Sequence, residues 1–169
     1  MSNEEFLERI KVLAAKSDCS KIHFGALALT VNGDVVGEGW NHNPNPFSGY
    51  TCSEFCVGGI RKGIRSGTCV ERCYAIHAEQ HALITATEKP YEILVAGWFP
   101  DGSLFDNGGG FYCTVCSRFM IASGIQTVSV WSEGTRKILS INECWDDSYK
   151  IACQGIYIDD SRKGTKEIK

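Results

Sequence analysis

The sequence has no apolar run long enough to cross a bilayer, which excludes a membrane-spanning helix. It has no excess of positive charge either. Its 17 Lys and Arg stand against 20 Asp and Glu, for a net charge of −3. A global electrostatic drive toward nucleic acid is therefore missing, and only a local basic patch could supply one. The opening stretch MSNEEFLERI is acidic and amphipathic, unlike a signal or transit peptide, so a cytoplasmic setting is the expectation. Internal repeats, linker-like stretches and a second domain are also missing. What is left is an ordinary globular composition, 43% hydrophobic and 22% charged over 169 residues, enough for one domain with its own core.

Cysteine, in contrast, is plentiful. There are nine: Cys19, Cys52, Cys56, Cys69, Cys73, Cys113, Cys116, Cys144 and Cys153. Without an export signal, disulfides are the poorer reading and metal ligation the better one. Cys19, Cys144 and Cys153 stand alone and read as buried, inert thiols.

Ser2 and Glu5 have capping-box spacing. Phe6, Leu7, Ile10, Leu13 and Ala14 follow at helical spacing, so a helix is expected over 3–16. Ala26–Val31 and Asp34–Trp40 read as a hairpin around a type I′ turn at Asn32-Gly33. Residues 41–73 are irregular, broken by Pro44, Pro46 and several glycines, and carry four of the nine cysteines. A loop of that length within a compact domain needs a function or something to hold it. Beyond it the pattern alternates: a helix from His77 to Thr87, a strand at EILVAGWF and a loop at PDGSLFDNGGG. A helix from Thr114 to Ser123, stopped by Gly124, and a strand at IQTVSVW follow. A helix over 133–150 and a short strand at GIYIDD complete the expectation. The whole predicts an α/β fold in three layers, α/β/α, with a central mixed sheet. One domain spans 1–160, with a cysteine-rich insertion at 41–73 and a polar tail at 161–169.

The chemistry gathers at two helix starts. HAEQHALITA supplies His77 and Glu79, and FYCTVCSRFM supplies Cys113 and Cys116. Two cysteines three apart can turn both sulfurs to one side of a helix's first turn. The free N–H groups and the dipole there favour thiolates. One imidazole and two thiolates are three ligands suited to zinc, with the fourth position left open in the catalytic pattern. Glu79, two residues from His77, suits proton transfer better than ligation of the same ion. An HExxH metalloprotease is excluded, because the glutamate follows its histidine by two.

His77-Ala78-Glu79 with Cys113-Thr114-Val115-Cys116 resembles the signature of the zinc-dependent cytidine/deoxycytidylate deaminase superfamily. The likeness runs from about residue 24 to Trp131. GWNHNP is similar to the segment that ends the family's second strand, and CSRFMIASGIQTVSV to its second zinc helix and next strand. The cysteines of CSEFC and those before HAE look most like the deoxycytidylate branch. Tyr112 stands where the family has proline, and His81 where it usually has asparagine. The resemblance implies a cytidine-deaminase-like fold and a catalytic zinc on His77, Cys113 and Cys116, with Glu79 as proton shuttle. It implies that Asn41 meets the substrate's sugar, and that backbone N–H groups at Ala78 and Cys113 contact the base. It further implies hydrolytic deamination of a cytosine nucleotide, best dCMP to dUMP plus ammonia. A homo-oligomer, often a hexamer, and a deoxynucleoside triphosphate effector belong to the same implication.

Several residues keep two readings. Asn41 can bind substrate or cap a turn. Arg61, Lys62 and Arg65 can pair a 5′-phosphate or form a solvated surface. Cys52, Cys56, Cys69 and Cys73 can hold a second, structural zinc, completed if need be by His42 or Cys19, or remain free thiols. His81 can be a fourth ligand or a core or supporting histidine. For the whole chain, the rivals are a deaminase of a free nucleoside, of another base or of a base in a polynucleotide, and a non-catalytic zinc-stabilised binding module. The acidic balance weighs against a polynucleotide.

Overall fold

The computed structural model describes residues 1–45 and 73–161, with side chains up to residue 152. In chain order its elements are α1 (Asn3–Ala14), β1 (His23–Leu29), β2 (Val35–Trp40), α2 (Ala78–Ile84), β3 (Glu92–Trp98), α3 (Thr114–Ala122), β4 (Thr127–Ser132), β5 (Thr135–Ser140) and α4 (Ile141–Ser161). The strands form one mixed sheet in the order β2-β1-β3-β4-β5. Only β3 and β4 run parallel; the other neighbours are antiparallel.

Period-two alternation sorts the side chains to two faces. Leu27, Leu29, Leu94, Ala96 and Trp131 face α1 and pack with Phe6, Ile10 and Leu13. Ala26, Ala28, Ile93, Val95, Val128 and Val130 face the other way, with Ala78, Ala82, Cys116, Met120 and Cys144 from α2, α3 and α4. These are the three layers the sequence predicts. The capping box forms as expected, Ser2 Oγ accepting Glu5 N–H at 3.2 Å and Glu5 returning to Ser2 N–H at 2.6 Å.

The structure corrects four local expectations. The first hairpin does not turn through type I′ at Asn32-Gly33: Gly33 has φ +84°, and Asn32 is not among the positive-φ residues. Gly33 N–H donates to Thr30 O and Thr30 N–H to Asp34 O, the pattern of a type I turn closed by a glycine bulge. The two-residue turn with both central φ positive lies at Glu133 (50°) and Gly134 (72°), joining β4 to β5. Residues 133–150 are therefore not one helix; an edge strand occupies Thr135–Ser140 and α4 starts only at Ile141. GIYIDD is not a strand, since it lies within α4. The helix expected over His77–Thr87 is shorter, at Ala78–Ile84.

Two glycines let α2 lie close on β2. A Cβ on Gly39 would overlap the Ala78 carbonyl and the Ala82 amide, and one on Gly37 the Ala82 carbonyl. Backbone cannot swing aside as a side-chain tip can. Gly39→Ala is therefore expected to destabilise by about 1–3 kcal/mol, the usual range for overpacking, and to lower Tm. An unchanged Tm would mean that α2 is free to lift from the sheet.

Candidate active site

The parallel pair β3–β4 decides where the two motifs meet. α2 precedes β3 and α3 precedes β4, each running back along its strand. Both helix N-termini thus reach the carboxyl ends of these strands, the usual place for a site in an α/β sheet.

His77 is the N-cap of α2, in extended conformation at φ −79° and ψ 154°. Its N–H donates to Gln80 Oε1 at 3.0 Å, which settles the first turn. Cys113 is the N-cap of α3, and its sulfur accepts Cys116 N–H at 3.2 Å, the place Ser or Asp usually takes. His77 Nδ1 lies 3.1 Å from Cys116 Sγ and 3.3 Å from Cys113 Sγ. Among the described residues, His77, Cys113 and Cys116 are the group whose donor atoms all lie within 4.8 Å of one another.

The electrostatics suit a cation between them. Cys113 is held well below the usual thiol range by hydrogen bonds from Cys116 and His77, which outweigh its burial. Burial pushes Cys116 the other way, helped by the Cys113 sulfur beside it. Burial acts against charge on the His77 imidazole, yet hydrogen bonds to the Cys113 and Cys73 thiols raise it to about 11. Two sulfurs that favour positive charge beside this imidazole would favour a metal cation there as well. Tetrahedral zinc with bonds of about 2.0 Å to nitrogen and about 2.3 Å to sulfur sets neighbouring donors about 3.5–3.8 Å apart. The imidazole lies within about half an ångström of that spacing from each sulfur, and the sulfurs lie within 4.8 Å of each other, so the set fits zinc.

Glu79 is buried, 7% exposed, and its carboxylate meets the Cys116 thiol. Burial and the Cys113 sulfur push its carboxyl above the usual range, against the pull of His77. A buried carboxyl raised in this way, beside a candidate metal-ligand set, has the environment a proton carrier needs.

Asn41 follows β2 and is 6% exposed. Its Oδ1 accepts from Ser17 Oγ at 2.7 Å and from Phe24 N–H at 2.8 Å, and its Nδ2 donates to Ile22 O at 2.9 Å. The amide thus ties the loop after α1 to β1, with no partner among the described residues for its second Nδ2 hydrogen. Ser17 carried no sequence signal for this role. The His77–Gln80 spacing did carry one, in the form of a capping box. His81 accepts Trp40 N–H on Nδ1 at 3.3 Å, with its ring 4.4 Å from Trp40 and 4.6 Å from His42. It closes the open edge of β2 and stands apart from the three donors. Thr85 does the same one turn on, accepting Glu38 N–H at 3.0 Å. Ala78 is buried at the first turn of α2.

Of the four insertion cysteines, Cys73 is exposed, and its thiol is among the groups that raise the His77 imidazole. Cys52, Cys56, Cys69, Arg61, Lys62 and Arg65 lie outside the described residues. Cys144 is a buried thiol, pushed up to about 12 by burial and by Asp147 and Glu143. Cys19 is half-buried, and the Cys153 side chain lies outside the described set.

A His-Cys-Cys donor set with a buried glutamate, on helix N-termini above a mixed sheet, has the make-up of a catalytic zinc centre in an α/β protein. The model of the "Cytidine and deoxycytidylate deaminase zinc-binding region" matches residues 1–132, most of the chain. The chain belongs to that deaminase family. Among solved structures it is similar to a dCMP deaminase from the cyanophage S-TIM5 in complex with dCMP and dUMP. The TM-score is 0.52 at 18% identity, covering 90% of this chain and 95% of that one. It is also similar to a cytidine deaminase from Burkholderia pseudomallei, with TM-score 0.52 at 19% identity, covering 85% and 96%. At such identities the likeness speaks for the fold. A comparison with curated protein sequences finds no match. No helix among the described residues is long and apolar enough to cross a membrane.

Proposed function

We propose that the chain hydrolytically deaminates a cytosine nucleotide, with dCMP to dUMP and ammonia as its best-fitting reaction. The convergence of His77, Cys113 and Cys116 with Glu79 buried against them carries the reading. Zinc on these three donors supplies a Lewis acid that acidifies water. Glu79 takes the proton on a carboxylate oxygen, gives it to N3 of the cytosine as water's oxygen joins C4, and passes protons to the departing amine. Water's oxygen ends on C4, and the C4–N bond breaks to release ammonia. Asn41 offers its remaining Nδ2 hydrogen to the sugar, and the N–H groups of Ala78 and Cys113 contact the base.

The choice of dCMP draws support from the cysteine-rich stretch before HAE and from the cyanophage enzyme's own ligands. In this reading Arg61, Lys62 and Arg65 pair the 5′-phosphate. An ammonia-release screen over dCMP, CMP, deoxycytidine, cytidine, guanine and single-stranded DNA tests it. Turnover of dCMP should exceed that of deoxycytidine, because a site built for a phosphate is left with unmatched charge by the nucleoside. Equal rates would assign a nucleoside deaminase, and no release from any of them a binding module.

We also assign a second, structural zinc to at least two or three of Cys52, Cys56, Cys69 and Cys73, completed if need be by His42 or Cys19. The gain would be conformational entropy removed from a long glycine-rich segment by the bound metal. Metal counting should find two zinc ions per chain, and one after Cys52→Ser. One zinc in the parent protein, with these thiols freely alkylated, would overturn it.

A further inference from the structure

α4 begins at Ile141, beyond the 1–132 that the family's model matches, yet it reaches the metal-ligand helix through two buried hydroxyls. Ser117 on α3 and Ser148 on α4 are both 0% exposed. Their oxygens lie 2.7 Å apart. Ser117 Oγ is also 2.7 Å from the carbonyl oxygen of Cys113, and Ser148 Oγ is 2.9 Å from that of Trp145. Three contacts thus share two hydroxyl hydrogens. A carbonyl cannot donate, so when the two hydroxyls share a hydrogen across their 2.7 Å contact, both hydrogens point the same way along the chain. In one direction Ser148 donates to Ser117, and Ser117 donates to Cys113 O. That carbonyl already takes Ser117 N–H at 2.9 Å. It belongs to the peptide that starts the turn bearing both sulfurs, where Cys116 N–H also meets Cys113 Sγ.

We infer that Ser148 is a positioning residue of the metal centre: through Ser117 it fixes the Cys113 carbonyl and hence the first turn of α3, which sets the two sulfurs. The inference rests on the reading of Cys113 and Cys116 as zinc ligands. A hydroxyl pair is an odd choice next to helices that give Cys116, Met120 and Cys144 to the apolar core. Two apolar side chains would bury as well without requiring a direction. What the pair adds is orientation of one peptide plane at the site.

The test is the rate at which the zinc-loaded protein gives up zinc to excess chelator, followed with a colorimetric zinc dye. Ser148→Ala is expected to release zinc about fivefold faster, the effect of losing one net hydrogen bond. Ser117→Ala, which cuts the same chain nearer the metal, should release it at least as fast. In the Ser117→Ala background, Ser148→Ala should change the rate by less than about twofold, because the path is already broken. Cobalt-substituted Ser148→Ala should also show shifted visible absorption bands, which a merely looser helix packing would not produce. A parental release rate in Ser148→Ala with only a lowered Tm would overturn the inference and leave the metal centre standing. So would equal effects of Ser148→Ala in the two backgrounds. If Cys116→Ser left the zinc content unchanged, the metal centre itself would fall, and the inference with it.

Discussion

Glu79→Ala should yield a folded, zinc-loaded protein whose deamination is about 10²–10⁴-fold slower or worse, since one carboxyl serves more than one proton transfer. The fold should survive because the side chain is costly where it stands. It is buried, and burial together with the Cys113 sulfur disfavours its charge. Zinc should survive because Glu79 is outside the trio of mutually close donors. The variant should therefore melt no lower than the parent, the usual mark of a residue kept for function at the expense of stability. Glu79→Gln separates the proton from the shape: it keeps the volume and should be nearly as slow. Near-normal ammonia release from Glu79→Ala would end the proposed mechanism.

Cys116→Ser is the second large effect. A serine hydroxyl stays protonated near neutrality and is a poor zinc ligand, whereas thiolate is a good one. Changes to groups that merely support ligands cost about 10–100-fold in metal affinity; loss of a ligand itself should cost more. Zinc content should fall by one per chain and deamination to background. Cys144→Ser is the control. Cys144 is as buried as Cys116 and shares its core cluster. It is outside the donor trio, so its replacement should spare the zinc. A zinc loss equal in both variants would point to core damage in place of ligand loss.

The fold and the site were legible to different depths. α1 could be read to within a residue or two, because its cap and stripe are local. The strands β1 to β4 are legible as apolar runs between turn residues, though β1 begins at His23, three residues before the expected Ala26. The helix expected over 133–150 failed for a physical reason. TRKILS on β5 is an edge strand with exposed Thr135, Lys137, Ile138 and Ser140, so it lacks a clean buried face to betray its period. The turn before it uses Glu133 at positive φ, where Asn or Asp would have been the signal. Asn32-Gly33 did carry that signal, and the chain used it for a different turn, because the sheet register at Leu29 and Val35 takes a bulge there.

By itself the sequence determined which ligand chemistry this protein holds. The identities and spacing of His77, Glu79, Cys113 and Cys116 are local facts about two helix starts, and zinc chemistry is selected by donor type. The tertiary structure decided what local spacing cannot carry. It brought the two starts together through the parallel pairing of β3 and β4, and gave His81 to the sheet edge through Trp40. It spent most of Asn41 on Ser17, Phe24 and Ile22, and set Ser148 against Ser117 from the far end of the chain. Each of these contacts joins residues far apart in sequence. They exist only because the order β2-β1-β3-β4-β5 folds the chain so that distant polar groups must satisfy one another.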